Sequence, residues 1–551
     1  MDRRAFLTGK KEETPSVQTP RVESGINPYA GVWSEAEVIH LLKRTMFGST
    51  RADINYFKAK TLDQMVDELL NPVSTSPVDP IKEYATSTTA TIPDTNILQG
   101  ATWVNDNNND GTVQGQRYYS YKKWLVGTMI NQDKSIQEKL IMFWLDHFGN
   151  QASEVGNANW VYTQQKLIRQ NALGNFKNLV KAITTDVCML RYLNGYLNNA
   201  SAPDENYARE LFELFTVGKG PDSHYTENDI KESAKVLTGW QINNTTYQSV
   251  FTASRHSTVN KAFSTFFGNG IIMGRSGATA GMLELTDLIN MIFAQQEVAK
   301  FIVRKMYRWF VYYKIDDTVE QNVIVPLADI FRNSNYEIKP VLSVLLKSEH
   351  FFDNANRACY IKSPADLVIG SIREMELSLP AASDWSTNYG FFNIFNNWIV
   401  NLGQNLHDPP NVSGMPPYYQ EPMFHELWIT ADSLPKRNQY TDTMINNGYT
   451  VNSIKAQFNC VNWVRTLYNP GNPNDVIDGA LKIFFRNDLT PATKTQIKNQ
   501  ILLTGQQWDY YWTNAWVAYE TNPTTANFNT VNTRLKSLFQ YFFNLSEYHL
   551  I

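Results

Sequence analysis

Asn206, Arg209, Glu210 and Glu213 fall at i, i+3, i+4 and i+7, so they share one face of a helix. The opposite arc carries Ala208, Leu211 and Phe215. Two carboxylates beside a guanidinium and an amide can run acid–base chemistry. Burial raises a Glu pKa and a neighbouring Arg lowers it, which makes Glu210 or Glu213 a candidate general acid or base held by Arg209 and Asn206. The same four residues can equally form a bidentate Arg–carboxylate network with no chemistry in it. His147 closes the aromatic run Phe143-Trp144-Leu145-Asp146-His147-Phe148, and His256 follows Arg255. Both are candidate catalytic groups, although a turn-final His more often serves as a hydrogen-bonded structural group. His407 and His425 flank a proline-rich segment.

Asp106-x-Asn108-x-Asp110-Gly111 matches the first half of a calcium loop, with oxygen ligands at alternate positions and Gly at the turn. The twelfth position, where a bidentate Glu belongs, is Arg117. Asp106, Asn108 and Asp110 are therefore weak candidate calcium ligands, an Asn-rich surface loop is the stronger reading, and no other cofactor is expected. HExxH, GxSxG, P-loop and dinucleotide signatures are missing, which removes the usual support for common hydrolase, NTPase and dehydrogenase readings. Cys188, Cys359 and Cys460 lie far apart, so buried thiols are expected rather than a disulfide framework or a metal site.

The elements that must position these groups read as helices almost throughout. Ser34 with Glu37, Thr61 with Gln64 and Thr226 with Asp229 are capping boxes, each ahead of an apolar run. Helical periods also occupy about 157–173, 203–217, 280–313, 338–348, 363–376, 451–468 and 526–546. Residues 242–273, rich in Thr, Ser, Phe and Gly, predict a small β hairpin or irregular insertion. Residues 403–423 hold five prolines and two glycines, which predicts an ordered irregular loop without helix. The expected fold is mainly α: a tail over 1–27 and one large helical region over 28–551, with a candidate subdivision near 275.

The 49 Lys+Arg against 53 Asp+Glu exclude a protein whose affinity rests on phosphate neutralisation, so no nucleic-acid partner is expected. No apolar stretch reaches the ~18–20 residues needed to span a bilayer, so no transmembrane segment is expected. Fifty-four Asn and 13% aromatic residues fit drift in an A+T-rich genome, or a sugar-facing surface of amides and flat rings. Asp2-Arg3-Arg4-Ala5-Phe6-Leu7 resembles a twin-arginine export motif, yet polar Gly9-Lys10-Lys11-Glu12-Glu13 follows where an apolar stretch belongs.

The block from Asp204 to Gly218, continuing through Tyr225-Thr226-Glu227-Asn228-Asp229 to Leu237-Thr238-Gly239-Trp240, resembles the bacterial domain-of-unknown-function 1800 (DUF1800) family. The resemblance recurs in Ala36 to Arg44, in Phe143 to Phe148, in Ile361-Lys362-Ser363-Pro364-Ala365-Asp366, and in Pro409-Pro410-Asn411-Val412-Ser413-Gly414. Met415 then stands where such proteins usually carry Trp. The matching blocks add Trp240, Lys362 and Asn411 as candidate binding residues. The resemblance implies an exported helical protein, periplasmic or extracellular, encoded beside a DUF1501 protein similar to sulfatases and phosphatases. Two functions compete: an accessory or binding component working with such a partner, and a hydrolase or lyase acting on polysaccharide or another cell-surface polymer. With the export signal incomplete, a cytoplasmic location is the alternative.

Overall fold

The computed structural model describes residues 25–73 and 76–551. The expectations for the Arg3-Arg4 motif and most of the tail fall on residues outside these. Gly25 and Asn27 already belong to the fold, their carbonyls accepting from the His350 and Glu349 N–H groups. The chain is 57% helix and 5% strand, which makes it mainly α. All the strand lies in three two-stranded hairpins. Among the described residues no helix is long and apolar enough to cross a membrane.

The three capping boxes form as their residue types require, and a fourth, Thr50 with Asp53, forms beside them. Ser34, Thr50 and Thr61 each accept from a backbone N–H of the first turn, and Glu37, Asp53 and Gln64 reach back to the cap N–H. Thr226 and Asp229 do the same ahead of Glu227–Val236. One contiguous cluster of buried apolar side chains runs from Val38 to Tyr548. At its centre the helices Gly111–Ile130 and Trp385–Asn401 pack side by side. Gly127 permits this approach, since a Cβ there would stand 2.6 Å from the Phe392 ring. The close packing offsets the roughly 0.5–1 kcal/mol that a mid-helix Gly costs.

The insertion expected near 242–273 is two hairpins, Trp240–Asn243 with Gln248–Phe251 and Lys261–Ala262 with Ile271–Ile272. Two expectations need correction. The helix expected over 451–468 begins only at Cys460 and ends at Arg465. Ahead of it Tyr449–Val451 pairs with Ile454–Ala456 through Asn452 and Ser453, both at positive φ, as a tight hairpin turn demands. The loop 403–423, expected to hold no helix, contains the single turn Pro416–Tyr419. Pro is tolerated in the first turn, where its missing N–H has no partner to lose.

Charges inside this core come in pairs. Arg373, from helix Pro364–Glu374, donates to the Asp53 carboxylate (2.9 Å) and to the Ile130 carbonyl (2.9 Å). It thereby ties three helices that are far apart in sequence. Arg373→Met would leave Asp53 buried without its counter-ion, a loss of about 3–5 kcal/mol. Chemical denaturation should show that drop in unfolding free energy; a change under 1 kcal/mol would contradict the structural role given to the pair.

Candidate functional site

The Asn206–Glu213 face is a salt-bridge network at the surface. Arg209 donates to both Glu227 oxygens (2.9 and 2.7 Å) and to Glu205 (3.3 Å), and its guanidinium lies 3.5 Å from Glu213. Glu213 also pairs with Lys219 at 2.5 Å. Asn206 is exposed and its amide donates to the Leu193 carbonyl. Glu210 stands aside: among the described residues it makes no ion pair, and burial followed by the Glu213 charge raises its carboxyl above the ordinary range.

Beyond Glu210 the helix widens into a π turn over Leu211–Thr216, with the Val217 N–H reaching back to the Phe212 carbonyl. The Phe215 carbonyl accepts from His147 Nε2 at 3.1 Å. A carbonyl cannot donate, so His147 carries its proton on Nε2 and offers Nδ1 as an acceptor. Lys305 Nζ donates to that Nδ1 at 2.9 Å. Burial, then the Lys305 charge, holds the His147 imidazole well below its usual value. Burial likewise brings Lys305 down to about 8 and pushes Asp146 up to about 7.

Asp146, His147 and Lys305 meet beneath the 403–423 loop. Asp146 Oδ1 accepts the Met415 N–H at 2.7 Å. Two glycines allow the approach: a Cβ on Gly149 would lie 2.7 Å from the Val412 carbonyl oxygen, and one on Gly414 (φ +93°) 2.7 Å from the Asp146 carbonyl. The result is a cavity of about 20 Å³, lined also by Arg308, Trp309, Ser413 and Tyr419. Thus His147 and the proline loop converge as one site, while Asn206, Arg209, Glu210 and Glu213 do not line it.

The remaining candidates are structural neighbours. His256 Nε2 lies 3.2 Å from Glu284, whose other oxygen pairs with Lys261 at 2.5 Å, and all three are buried. Trp240 is buried at the base of the first hairpin. Lys362 is buried with its ammonium 3.9 Å from the Tyr548 ring centroid. Asn411 is an exposed turn residue accepting the Ser413 N–H and donating to the Tyr419 hydroxyl. Asp110 caps helix Gly111–Ile130 and accepts four backbone N–H groups, from Thr91, Ile92, Thr112 and Val113. Asp106 pairs with Arg117, the residue standing where the calcium pattern needs Glu. Among the described residues no group of three or more His, Cys, Asp or Glu is placed to share a metal ion.

Sequence reasoning passed over two features. Lys305 and Arg308 lie at i, i+3 in helix Gln296–Phe310, a spacing that marks one face but names no site. A wider opening, about 700 Å³, lies elsewhere: it is lined by Trp124, Tyr389, Phe392, Trp385, Asn131 and the Glu138–Arg169 pair. Those residues are scattered over 270 positions of chain, and no local pattern joins them.

Competitive acetylation with limiting anhydride, read by mass spectrometry, should give Lys305 a titration midpoint near pH 8. Surface lysines should titrate about two units higher. A midpoint for Lys305 among those of the surface lysines would contradict the buried, amine-favouring environment.

A sequence model of the family described as "Protein of unknown function (DUF1800)" matches residues 40–550. No curated protein and no solved structure matches the chain.

Proposed function

The chain belongs to the DUF1800 family, and on that premise we propose that it is an exported accessory protein that binds polysaccharide. The observation that carries this reading is the 700 Å³ groove. Its volume falls within the range of ligand sites, and it combines flat rings with a few polar groups. Trp124 is fixed by its indole N–H donating to the Val78 carbonyl, and Trp385 is part-exposed. Rings of this kind cover the apolar faces of sugars, while the amide oxygen of Asn131, whose Nδ2 donates to the Gly127 carbonyl, suits a hydroxyl group. Accessory work beside a DUF1501-type, sulfatase- or phosphatase-like partner rests on the family resemblance and on the Arg3-Arg4 motif. Export bound to a partner with a complete signal would explain why the motif lacks its apolar stretch.

The chain expressed alone should stay in the cytoplasm and should move outward when the partner is co-expressed; cell fractionation reads both. Retention in both cases defeats export on a partner. Calorimetry against cell-surface polysaccharides should show binding that Trp385→Ala weakens at least tenfold, about 1.4 kcal/mol, with thermal unfolding little changed. Equal affinity in the variant removes the groove from the account.

A hydrolase or lyase acting on the same polymer is the second reading, favoured by Glu210, whose raised carboxyl has no cation of its own. Under the first reading the protein releases no new reducing or unsaturated ends from polysaccharide. Release by the wild type that Glu210→Gln abolishes would install the second reading in its place.

A further inference from the structure

The cavity beneath the proline loop has more positive charge than its neighbours can balance. Lys305 and Arg308 point into it from successive turns of one helix. Lys305 is hydrogen-bonded to a neutral imidazole, and among the described residues no carboxylate lies within 4 Å of its ammonium. The carboxylate partner of Arg308 is Glu421, 3.8 Å away and with its own side chain 73% exposed, where solvent screens the attraction. The one carboxyl lining the cavity, Asp146, accepts the Met415 N–H and shares its charge with Lys305, so a single carboxyl faces two cations. Half-buried cations that outnumber the carboxyls around them are costly, and an anion from solution relieves that cost.

We propose that this cavity is an oxyanion-binding site, with Lys305 receiving one oxygen of a sulfate, phosphate or carboxylate group and Arg308 a second. The dimensions fit that division. A volume of about 20 Å³ accommodates one oxygen-sized atom at Lys305. The rest of the group stays at the mouth, where Arg308 is 28% exposed. There the planar guanidinium suits the spaced oxygens of an oxyanion. Ser413 and Tyr419 supply hydroxyl groups from the loop side, and Phe143 and Trp309 form the dry walls that strengthen the attraction. His147 holds the Lys305 ammonium in place through Nδ1 and acts as a positioning residue. The ligand is either a free inorganic anion or an acidic group carried on a glycan. The site is separate from the Trp385 groove and does not depend on the polysaccharide reading.

The test is protection of Lys305 from acetylation in the full chain, at fixed ionic strength balanced with chloride. Inorganic sulfate, inorganic phosphate and an oligogalacturonate serve as probes. Saturable protection is expected, and Arg308→Ala should raise the half-protecting concentration at least fivefold while Arg308→Lys restores part of it. Lys166→Ala, removing an exposed cation elsewhere, should change nothing. Protection by sulfate or phosphate supports a free-anion site; protection by the oligogalacturonate alone supports a polymer-borne carboxylate. Lack of protection by all three probes, or protection that Arg308→Ala leaves intact, overturns the proposal. Trp385→Ala should leave the protection unchanged, so failure at the groove and failure here are told apart.

Discussion

A charge placed in the interior of this protein needs an opposite charge or a carbonyl, and many of the helices are arranged so that one is met. Lys43 meets Glu374 at 2.6 Å, Lys82 meets Asp94 at 2.9 Å and Lys261 meets Glu284 at 2.5 Å, every one with side chains at most 3% exposed. Arg437, fully buried, donates to the carbonyls of Lys362 and Trp428. The pairings join positions separated by 9 to more than 300 residues, so satisfying the charge helps fix which segment lies beside which. Apolar packing alone tolerates many arrangements of similar volume, whereas a misplaced helix here would strand an ion in a medium that solvates it poorly. The Lys305 cavity is one place where this pairing is left incomplete, and Glu210 is its counterpart among the carboxylates.

The two open features therefore differ in kind. The wide groove is built where helices Gly111–Ile130 and Trp385–Asn401 part company, and its rings are core residues seen from the edge. The small cavity is built by two glycines that let a proline-rich loop lie on the end of helix Gln137–His147. One offers area and the other offers charge. The surface network around Arg209 offers neither: its guanidinium faces the carboxylates of Glu205, Glu213 and Glu227 and locks them together.

Elements with local signals were legible in the sequence. Ser34, Thr61 and Thr226 announce their helices because a cap and its third residue are close in the chain, and the Thr- and Gly-rich insertion announced its strands. The helix expected over 451–468 failed because its apolar spacing fits two periods, and the positive φ at Asn452 and Ser453 decides for a turn. The site was legible only where chemistry and sequence neighbours coincide, as at His147. Its partner Lys305 lies 158 residues away and Met415 lies 269 from Asp146, so only the folded chain brings them together. Glu210 and Glu213 looked alike by spacing, yet Glu213 pairs with both Arg209 and Lys219 while Glu210 pairs with neither.

The three cysteines add a condition on the order of events. Cys188 and Cys460 are buried, and Cys359 lies against the Arg44 guanidinium and the Asn356 carbonyl. No two of them are joined. In the folded chain an oxidant has little access to the first two thiols, and burial holds both well away from the reactive thiolate. An unfolded chain entering an oxidising compartment would present all three at once, with every wrong crosslink open to it. A chain that folds before meeting such a compartment would hold Cys188 and Cys460 closed, so its redox safety would be settled by when it folds rather than by where it ends up.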